Sequence, residues 1–317
     1  MVVKAMNLSV VICTYDRAES LAKTLRSLSV QSLPAAIEWE VLVLDNNSRD
    51  NTREVAEEFC HQFPGRFRYV SEPQQGKSYA LNRGIREARG DIVAFTDDDV
   101  VLEPTWLRDL TANLESGEWV GAGGRTLPER GFVSPRWLGS ERMYALAPLA
   151  IFDLGDKPRE LKEAPFGNNM AFRKGVLERY NGFRTDLGPR AGSSRPQKSE
   201  DSEFGNRLLL AGERFRYEPG AILYHCVPKE RVQKEYFLKW WLDKARSDIQ
   251  AFGIPDPKWC VLGIPIRLFR RLAVWTLRWM ATIEPSRRFD CKLKGWTVIG
   301  QIRECCYGHF LLKEKKG

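Results

Sequence analysis

The sequence predicts an α/β protein, with a Rossmann-like, mainly parallel sheet sandwiched by helices and a C-terminal helical region. Leu8–Cys13 is a continuous apolar run, as expected for a strand buried on both faces. An amphipathic stretch with leucines at 21, 25 and 28 follows, and then a second strand-like run at Trp39–Leu44. Short apolar strands that alternate with amphipathic helices are typical of a parallel sheet covered on both faces.

The alternation continues through the first half of the chain, where Asp, Asn, Pro and Gly mark the helix ends. The further predicted elements are a helix from Asp50 or Asn51 to about His61, a strand at Phe67–Val70, a helix at Gly76–Arg89 stopped by Gly90, a strand at Asp91–Thr96, a helix opened by Pro104 and a strand at Trp119–Gly124. Residues 126–165 lack clear periodicity and predict a long functional loop. Regular patterns then resume at Asn168–Phe172, Val176–Tyr180, Ser199–Ala211, Phe215–Tyr217 and Ala221–Cys226.

Charge divides the chain after Cys226. The whole sequence of 317 residues carries a net charge of +8, but residues 227–317 hold 19 basic and 9 acidic residues, whereas residues 1–226 hold 30 and 32. Six of the ten tryptophans also lie after residue 226. We therefore predict a sheet domain over residues 1–226 and a basic, aromatic helical tail over residues 227–317, with an anionic surface as the partner of the tail.

Composition excludes several classes of protein. With 43% hydrophobic and 28% charged residues, wholesale disorder is not expected. The seven cysteines form no C-x-x-C pair, which argues against a disulfide scaffold or a zinc finger and favours a reducing, cytoplasmic compartment. The first apolar run leads directly into Thr14–Arg17, so we expect no signal peptide, and no apolar run approaches the ~18 residues of a membrane span.

Polar side chains follow three of the predicted strands at their carboxyl ends. They are Thr14-Tyr15-Asp16, Asp45-Asn46 and Asp97-Asp98-Asp99. In open α/β sheets, ligands bind beyond the carboxyl ends of the strands, so these side chains are expected to converge on one rim. The alternative is that Asp and Asn simply favour the turns that follow strands.

Three adjacent carboxylates at Asp97–Asp99 are costly without a cation. Oxygen ligands of this kind suit Mg²⁺ or Mn²⁺ shared with substrate phosphates, although a solvated acidic turn is the simpler alternative. Glu200-Asp201 opens a helix, where acidic residues commonly act as caps, yet one of them is a candidate general base. His225, at a strand end, is a candidate metal ligand, and Lys77, at a helix start, is a candidate phosphate contact.

In order and spacing, these segments resemble the family 2 glycosyltransferases, whose fold is the A-type glycosyltransferase (GT-A) fold. The matching segments lie at residues 8–32, 40–52, 76–100, 166–183, 199–212 and 217–225. The resemblance covers roughly residues 7–226 and implies that residues 1–226 form a nucleotide-sugar-binding catalytic domain.

The resemblance also implies roles for single residues. Asp97–Asp99 matches the DxD-type motif, in which Asp97 contacts ribose or metal and Asp99 coordinates the metal; the division of labour with Asp98 stays open. Glu200-Asp201 matches the ED motif, with Asp201 as catalytic base, and His225 matches a His near the metal. The expected nucleotide-sugar contacts are Thr14, Tyr15, Asp16, Asp45, Lys77, Asp97, Asp98, Asn168 and Asn169.

The reaction implied by the family is metal-dependent transfer of a sugar, with inversion, from a nucleotide-diphosphate sugar to a hydroxyl. We expect UDP as the nucleotide, Mg²⁺ or Mn²⁺ as cofactor, and a lipid-linked or surface-polysaccharide acceptor. Residues 231–246 contain no Q-x-x-R-W-type motif of the processive synthases, so transfer of one sugar is favoured. The alternatives are a sugar nucleotidyltransferase, for which the Gly-rich N-terminal loop is missing, and a non-enzymatic polyanion- or membrane-binding protein.

The tail contains a second candidate surface. At ~100° per residue, the segment 266–280 places Arg267, Arg270, Arg271 and Arg278 on one stripe beside a wide apolar face. This pattern is typical of a helix that lies in an anionic membrane interface, and it predicts peripheral association with the inner face of the cell membrane. The alternatives are a helix docked on the catalytic domain and, without a recognised motif to support it, nucleic-acid binding.

Overall fold

The computed structural model describes residues 7–139, 146–254 and 259–314, with side chains to residue 307, and confirms the α/β fold predicted from the sequence. Within these residues the chain forms two compact units. The first unit comprises residues 7–130, 150–192 and 200–226, and the second comprises 131–139, 146–149, 193–199, 227–254 and 259–314. The division into domains at residue 226 stays a prediction, since the second unit also draws on two earlier segments.

The strands and helices of the first unit alternate as predicted over its first half. Its strands are β1 (Asn7–Thr14), β2 (Glu38–Asp45), β3 (Phe67–Ser71), β4 (Ile92–Asp97), β5 (Val100–Leu102), β6 (Gly121–Pro128), β7 (Arg159–Leu161), β8 (Asn169–Arg173) and β9 (Phe215–His225). Its helices are α1 (Ala18–Ser29), α2 (Thr52–Gln62), α3 (Lys77–Glu87), α4 (Trp106–Thr111), α5 (Lys174–Arg179) and α6 (Glu200–Leu210).

The strands form one mixed sheet in the order β3-β2-β1-β4-β8-β6-β9-β5, with β7 paired to β9. The half made of β3, β2, β1 and β4 is parallel throughout. In the other half, β8 runs antiparallel to both β4 and β6, and β9 runs parallel to β6. The two closing strands predicted at 215–217 and 221–226 are one continuous strand, since the register shift with β6 absorbs the irregularity between them.

Helices cover both faces of the parallel half. Val10 and Ile12 of β1 belong to a fully buried core with Leu21, Leu25 and Leu28 of α1. On the opposite face, α3 approaches so closely that a Cβ on Gly84 would lie 2.5 Å from Cγ1 of Val11. The buried, uninterrupted runs of β1, β2 and β4 are thus explained by cover on two sides.

Two predicted helix boundaries have a different physical basis from the one expected. Asp50 lies before α2, and its carboxylate accepts hydrogen bonds from the backbone N–H groups of Thr52 and Ala18, at 3.0 Å each. One side chain therefore serves the starts of two helices. Helix α3 ends at Glu87, before Gly90, which instead allows close backbone packing, because a Cβ there would lie 2.6 Å from the backbone of Leu8.

The second unit is mainly helical, as the sequence predicts. It contains α7 (Lys234–Phe252), a small hairpin of β10 (Cys260–Val261) and β11 (Ile264–Pro265), α8 (Ile266–Ala281), α9 (Pro285–Glu314) and short 3₁₀ turns at 147–149 and 229–231. Buried residues of β11, α8 and α9, namely Ile264, Leu268, Val298 and Cys305, form one small apolar cluster within it. Among the described helices, none is both long and apolar enough to cross a membrane.

Candidate active site

The carboxyl ends of β1, β2 and β4 lie side by side at one rim of the sheet. Thr14 pairs with Asp45, and Cys13 pairs with Asp97. His225, the last residue of β9, pairs with Val100 directly after the acidic triplet. The predicted convergence of strand-end side chains is therefore present in the structure.

The side chains beyond β1 and β2 organise the loops of this rim. Asp45 is buried and accepts hydrogen bonds from the Tyr69 hydroxyl at 2.8 Å and from the backbone N–H of Ser48 at 2.9 Å. Asp16, which has a positive φ of 49°, accepts a hydrogen bond from the backbone N–H of Arg49 at 2.6 Å. Tyr15, which lies between the buried Thr14 and the exposed Asp16 in sequence, is half-buried. These contacts give the predicted nucleotide-binding segment a fixed shape.

Lys77 links the acidic triplet to the Glu-Asp pair. Its ammonium nitrogen lies 2.6 Å from Oδ1 of Asp97 and 3.9 Å from Oε1 of Glu200. The helix start that carries Lys77 is fixed from outside, because its backbone N–H donates to the carbonyl of Pro189 at 2.9 Å. Two carboxylates predicted separately from the sequence, those of Asp97 and Glu200, therefore meet at one cation, Lys77.

Arg17 binds the other two carboxylates of the triplet. Its guanidinium lies 3.3 Å from Oδ1 of Asp98 and 2.7 Å from Oδ2 of Asp99. The second carboxylate oxygen of Asp99 lies 3.5 Å from Nε2 of His225. Asp99 is thus held between a guanidinium and an imidazole, and Arg17 is a functional candidate that the sequence reasoning missed.

Burial and charge shift the pKa values of these groups in opposite directions. Burial raises the pKa of Asp98 to about 7 despite Arg17, and burial together with Asp201 raises the pKa of Glu200 to about 7. Burial alone would also raise the pKa of Asp99, but His225 and Arg17 hold it well below its ordinary value. Divergent pKa values in adjacent carboxyl groups are a recurrent feature of catalytic sites.

Asp201 lies in the first turn of α6, where backbone donors hold its carboxylate. Oδ2 accepts a hydrogen bond from the N–H of Gly167 at 3.0 Å, and Oδ1 accepts one from the N–H of Ser202 at 2.6 Å. A Cβ on Gly167 would lie 3.0 Å from Oδ2, so the glycine permits this approach. Oδ1 also accepts a hydrogen bond from the Ser202 hydroxyl at 3.2 Å, so Oδ2 is the oxygen that keeps a lone pair able to accept a proton.

The two asparagines predicted to contact the donor sugar differ in their surroundings. Asn168 is buried, and its Oδ1 accepts a 3.4 Å hydrogen bond from the hydroxyl of Thr126. The amide of Asn169, in contrast, is used within the sheet: Oδ1 accepts from Trp106 Nε1 at 2.8 Å, and Nδ2 donates to the carbonyls of Arg125 and Ala221. The amide of Asn169 is thus paired within the sheet, and a contact between Asn169 and the donor sugar stays a prediction.

A divalent cation fits this rim only with help from a substrate. No group of three or more His, Cys, Asp or Glu side chains in the described residues is arranged to hold a metal ion. Asp99 and His225, however, place an oxygen and a nitrogen 3.5 Å apart. Mg²⁺ and Mn²⁺ sites commonly use one or two protein ligands and complete their shell with water and phosphate oxygens. The residues present are compatible with such a site.

Sequence reasoning missed two contributors to this rim, Arg17 and Tyr69. Arg17 follows the strand-end segment Thr14–Asp16 directly; three adjacent carboxylates indicate that a cation is needed, but they do not indicate which side chain supplies it. Tyr69 hydrogen-bonds Asp45 from β3, and no signal indicated it, because its role depends on side-chain direction. Gly167, which directly precedes the predicted Asn168, supplies the N–H that holds Asp201.

The fold and the site are those expected of a glycosyltransferase, and the comparisons with known proteins agree. The model of glycosyl transferase family 2 matches residues 9–180, so the chain belongs to this family and is a glycosyltransferase. The succinoglycan biosynthesis protein ExoM of Rhizobium meliloti is 28% identical over 239 residues, which cover 74% of this chain and 72% of that protein. A glucosyl-dolichyl phosphate glucuronosyltransferase of Haloferax volcanii is 28% identical over 242 residues, covering 74% and 75%.

A solved structure shares the fold. The mannosyltransferase PcManGT from Pyrobaculum calidifontis, in complex with GDP-Man and Mn²⁺, aligns with a TM-score of 0.59 and 20% sequence identity. The alignment covers 99% of this chain and 76% of that chain. At this identity the likeness supports the GT-A fold predicted from the sequence.

Proposed function

We propose that this glycosyltransferase moves a single sugar, with inversion, from a nucleotide-diphosphate sugar to an acceptor hydroxyl. One observation carries the proposal: Lys77 lies 2.6 Å from Asp97 and 3.9 Å from Glu200, so the acidic triplet and the Glu-Asp pair share one cation. A donor diphosphate near the triplet would then place its sugar beside Asp201. Close placement of donor and base is the geometry that single displacement requires.

The nucleotide would lie along the carboxyl ends of β1 and β2. Thr14, Tyr15, Asp16 and Asp45 line this edge, and the hydrogen bonds of Asp16 and Asp45 preorganise it for a base and a ribose. Asp97, Asp98, Lys77 and Asn168 would face the ribose, diphosphate or sugar. UDP is the first choice of nucleotide; the mannosyltransferase relative that contains GDP-Man makes GDP the next nucleotide to test.

Asp201 is the proposed general base, with Glu200 beside it. The acceptor hydroxyl loses its proton to a carboxylate oxygen of Asp201 as its own oxygen attacks the anomeric carbon. The bond from that carbon to the diphosphate oxygen breaks, and the electron pair leaves with the nucleotide diphosphate. The backbone N–H groups of Gly167 and Ser202 orient the Asp201 carboxylate for this step. The reaction requires no reactant other than the nucleotide sugar and the acceptor.

The proposed cofactor is Mg²⁺ or Mn²⁺, held by Asp99 and His225 with Asp97 nearby. When bound, such a cation would offset the negative charge that develops on the departing diphosphate. The mannosyltransferase of similar fold contains Mn²⁺. The 3.5 Å separation of Asp99 and His225 supports the same placement here.

The proposed acceptor is a lipid-linked or surface-polysaccharide precursor. The names of two relatives, a succinoglycan biosynthesis protein and a glucosyl-dolichyl phosphate glucuronosyltransferase, support this class. Such an acceptor would place the enzyme on the inner face of the cell membrane, as a peripheral protein that adds one sugar. The basic tail after residue 226 is consistent with that location.

A donor panel tests the proposal. The purified chain is mixed with UDP- and GDP-linked sugars, with Mg²⁺, with Mn²⁺ or with a chelator, and thermal stabilisation and donor hydrolysis are measured. We expect one nucleotide sugar to raise the melting temperature only when the metal is present. A parallel sample contains a nucleoside triphosphate and a sugar 1-phosphate, which accepts the nucleotidyl group; release of pyrophosphate there, with no hydrolysis of any nucleotide sugar, would contradict the proposal.

A further inference from the structure

Helix α8 turns an apolar face outward. Its inner side contributes Leu268 to the core shared with α9, and Leu272 and Trp275 pack against that core. Its outer side leaves five large apolar side chains exposed, with Leu277 at 62%: Ile266, Phe269, Val274, Leu277 and Met280. A helix on the surface of a water-soluble unit normally presents polar side chains there, so this face is suited to an apolar environment.

The arginines of α8 lie along one flank of that apolar face. At ~100° per residue, the five exposed apolar side chains span about 140° of the helix circumference. The arginines span about 100°, and this arc overlaps one edge of the apolar arc. They are Arg267, Arg270, Arg271 and Arg278. The helix contains no Asp or Glu, and no described acidic side chain forms an ion pair with Arg270 or Arg271. The flank is therefore strongly cationic.

The apolar surface continues beyond both ends of α8. Before the helix, the β10–β11 hairpin exposes Trp259 at 78% and Leu262 at 73%, and the N–H of Ile266 donates to the carbonyl of Trp259 at 2.9 Å. After the helix, Ile283 is 92% exposed. Tryptophan at the edge of an apolar surface is typical of proteins that contact the interface of a bilayer.

We infer that this surface, made of the hairpin tip, the outer face of α8 and Ile283, binds an anionic lipid bilayer. The axis of α8 would lie in the plane of the membrane. Its apolar side chains and the hairpin tip would enter the acyl boundary, and its arginines would meet the lipid phosphates. The charge complementarity favours anionic lipid over a second copy of the chain, since residues 227–317 carry +10 and two such surfaces would repel.

This inference rests on the membrane location proposed above and names the surface responsible for it. It does not depend on the sugar-transfer chemistry, so the two can fail separately. Binding to vesicles is measured without any donor, whereas the chemistry is measured by donor binding and hydrolysis without any vesicles.

The test uses the full chain in flotation with vesicles of phosphatidylcholine alone or mixed with phosphatidylglycerol. We expect flotation only with the anionic vesicles, and weaker flotation at high salt, which screens the arginines. The double variant Arg271→Gln/Arg278→Gln should bind about 25-fold more weakly, from about fivefold for each arginine. Leu277→Asn should weaken binding on the order of tenfold, because one apolar side chain no longer enters the bilayer.

Matched control variants lie in the first unit. Arg26→Gln removes an exposed arginine from α1, and Leu210→Asn removes an apolar side chain that is 89% exposed at the end of α6. Both should float like the wild type, and equal melting temperatures of all variants exclude misfolding. Equal binding by wild type and both α8 variants would overturn the inference. So would salt-dependent binding to a DNA duplex, or a dimer broken by Leu277→Asn, if either occurred without vesicle binding.

Discussion

Carboxylates lie at both ends of the central strands, and the two sets differ in the hydrogen-bond donors and cations that surround them. At the amino end, Glu40 of β2 accepts hydrogen bonds at 2.8 Å from Ser9, from Arg68 and from the backbone N–H of Arg89. At the carboxyl end, Asp97, Asp98, Asp99 and Glu200 lie within ion-pair distance of Lys77, Arg17 and the imidazole of His225. We call these sets the amino-end cluster and the carboxyl-end cluster.

The difference separates a structural role from a functional one. In the amino-end cluster, burial would raise the pKa of Glu40, but the three donors hold it below its ordinary value, so the charged form is stabilised by folding. In the carboxyl-end cluster, the pKa values of Asp98 and Glu200 are raised, so their charged forms cost the folded protein stability. An excess of carboxylates over cations is unfavourable in the free protein, and it is the arrangement expected at a site that binds a divalent cation, as proposed above.

The largest expected effect lies in the carboxyl-end cluster, at the proposed base. Asp201→Asn removes the proton acceptor but keeps the size of the side chain, so turnover should fall by roughly 10²- to 10⁴-fold. Donor binding, followed by thermal stabilisation, should change little. Glu57→Gln, which alters an exposed carboxylate on α2, is the matched control and should leave turnover unchanged. Normal turnover in Asp201→Asn would refute the assignment.

The next largest effect concerns the metal. Asp99→Asn removes a charged oxygen from the Asp99–His225 pair, so the Mn²⁺ concentration required for half-maximal donor hydrolysis should rise roughly 10- to 100-fold. Titration of the metal at fixed donor measures this shift. Asp186→Asn, a largely exposed carboxylate paired with Arg184, serves as control. The same metal requirement in both variants would exclude Asp99 as a ligand.

A smaller effect is expected in the amino-end cluster. Glu40→Gln leaves Arg68 without its buried carboxylate and should lower the free energy of unfolding by about 1–3 kcal/mol. The loss should be present at neutral pH and shrink as the pH falls through the depressed pKa of Glu40, because the wild-type carboxylate is then protonated as well. Urea unfolding at several pH values gives the comparison. Glu19→Gln is the control, because the only partner of Glu19 among the described ion pairs is Lys23. This variant should leave the free energy of unfolding unchanged.

A further effect in the carboxyl-end cluster is the pH dependence of Glu200. Its pKa is raised to about 7 from an ordinary value of 4.5, so the wild type loses stability as the pH rises through the window from 4.5 to about 7. Glu200→Gln has no carboxyl group to ionise and should gain stability relative to the wild type between pH 5 and pH 8, about the range of that window. Melting curves of the variant and the wild type at both pH values test the sign of this difference in stability. A relative loss at the higher pH would contradict the assigned environment.

Much of the site follows from the sequence, because strand ends converge in a parallel sheet. This rule predicts one rim for Thr14, Asp45 and Asp97. The pairing of β1 with β2 and with β4 confirms that their carboxyl ends lie side by side. Charge counting indicated that the triplet needs cations, but it did not identify them. Arg17 and Asp99 are separated by 82 residues, and their contact depends on side-chain direction.

Asn169 illustrates what the local pattern cannot resolve. Asn168 and Asn169 are adjacent and polar, and both were expected to contact the donor. Only the structure reveals that Trp106 and two backbone carbonyls use the amide of Asn169 inside the sheet. The hydrophobic pattern over residues 126–165 likewise did not predict strand β7. This strand is only three residues long, and it pairs with β9, which is distant in sequence.

The most direct test of the contrast between the two clusters compares Glu40→Gln with Glu200→Gln in one experiment. For both variants, the free energy of unfolding at pH 8 and the rate of sugar transfer per folded molecule are measured. We predict that Glu40→Gln is less stable than the wild type with an unchanged rate, whereas Glu200→Gln is at least as stable with a reduced rate. A stable but inactive Glu40→Gln, or a destabilised Glu200→Gln with the wild-type rate, would contradict the assignment of structure to one end of the strands and chemistry to the other.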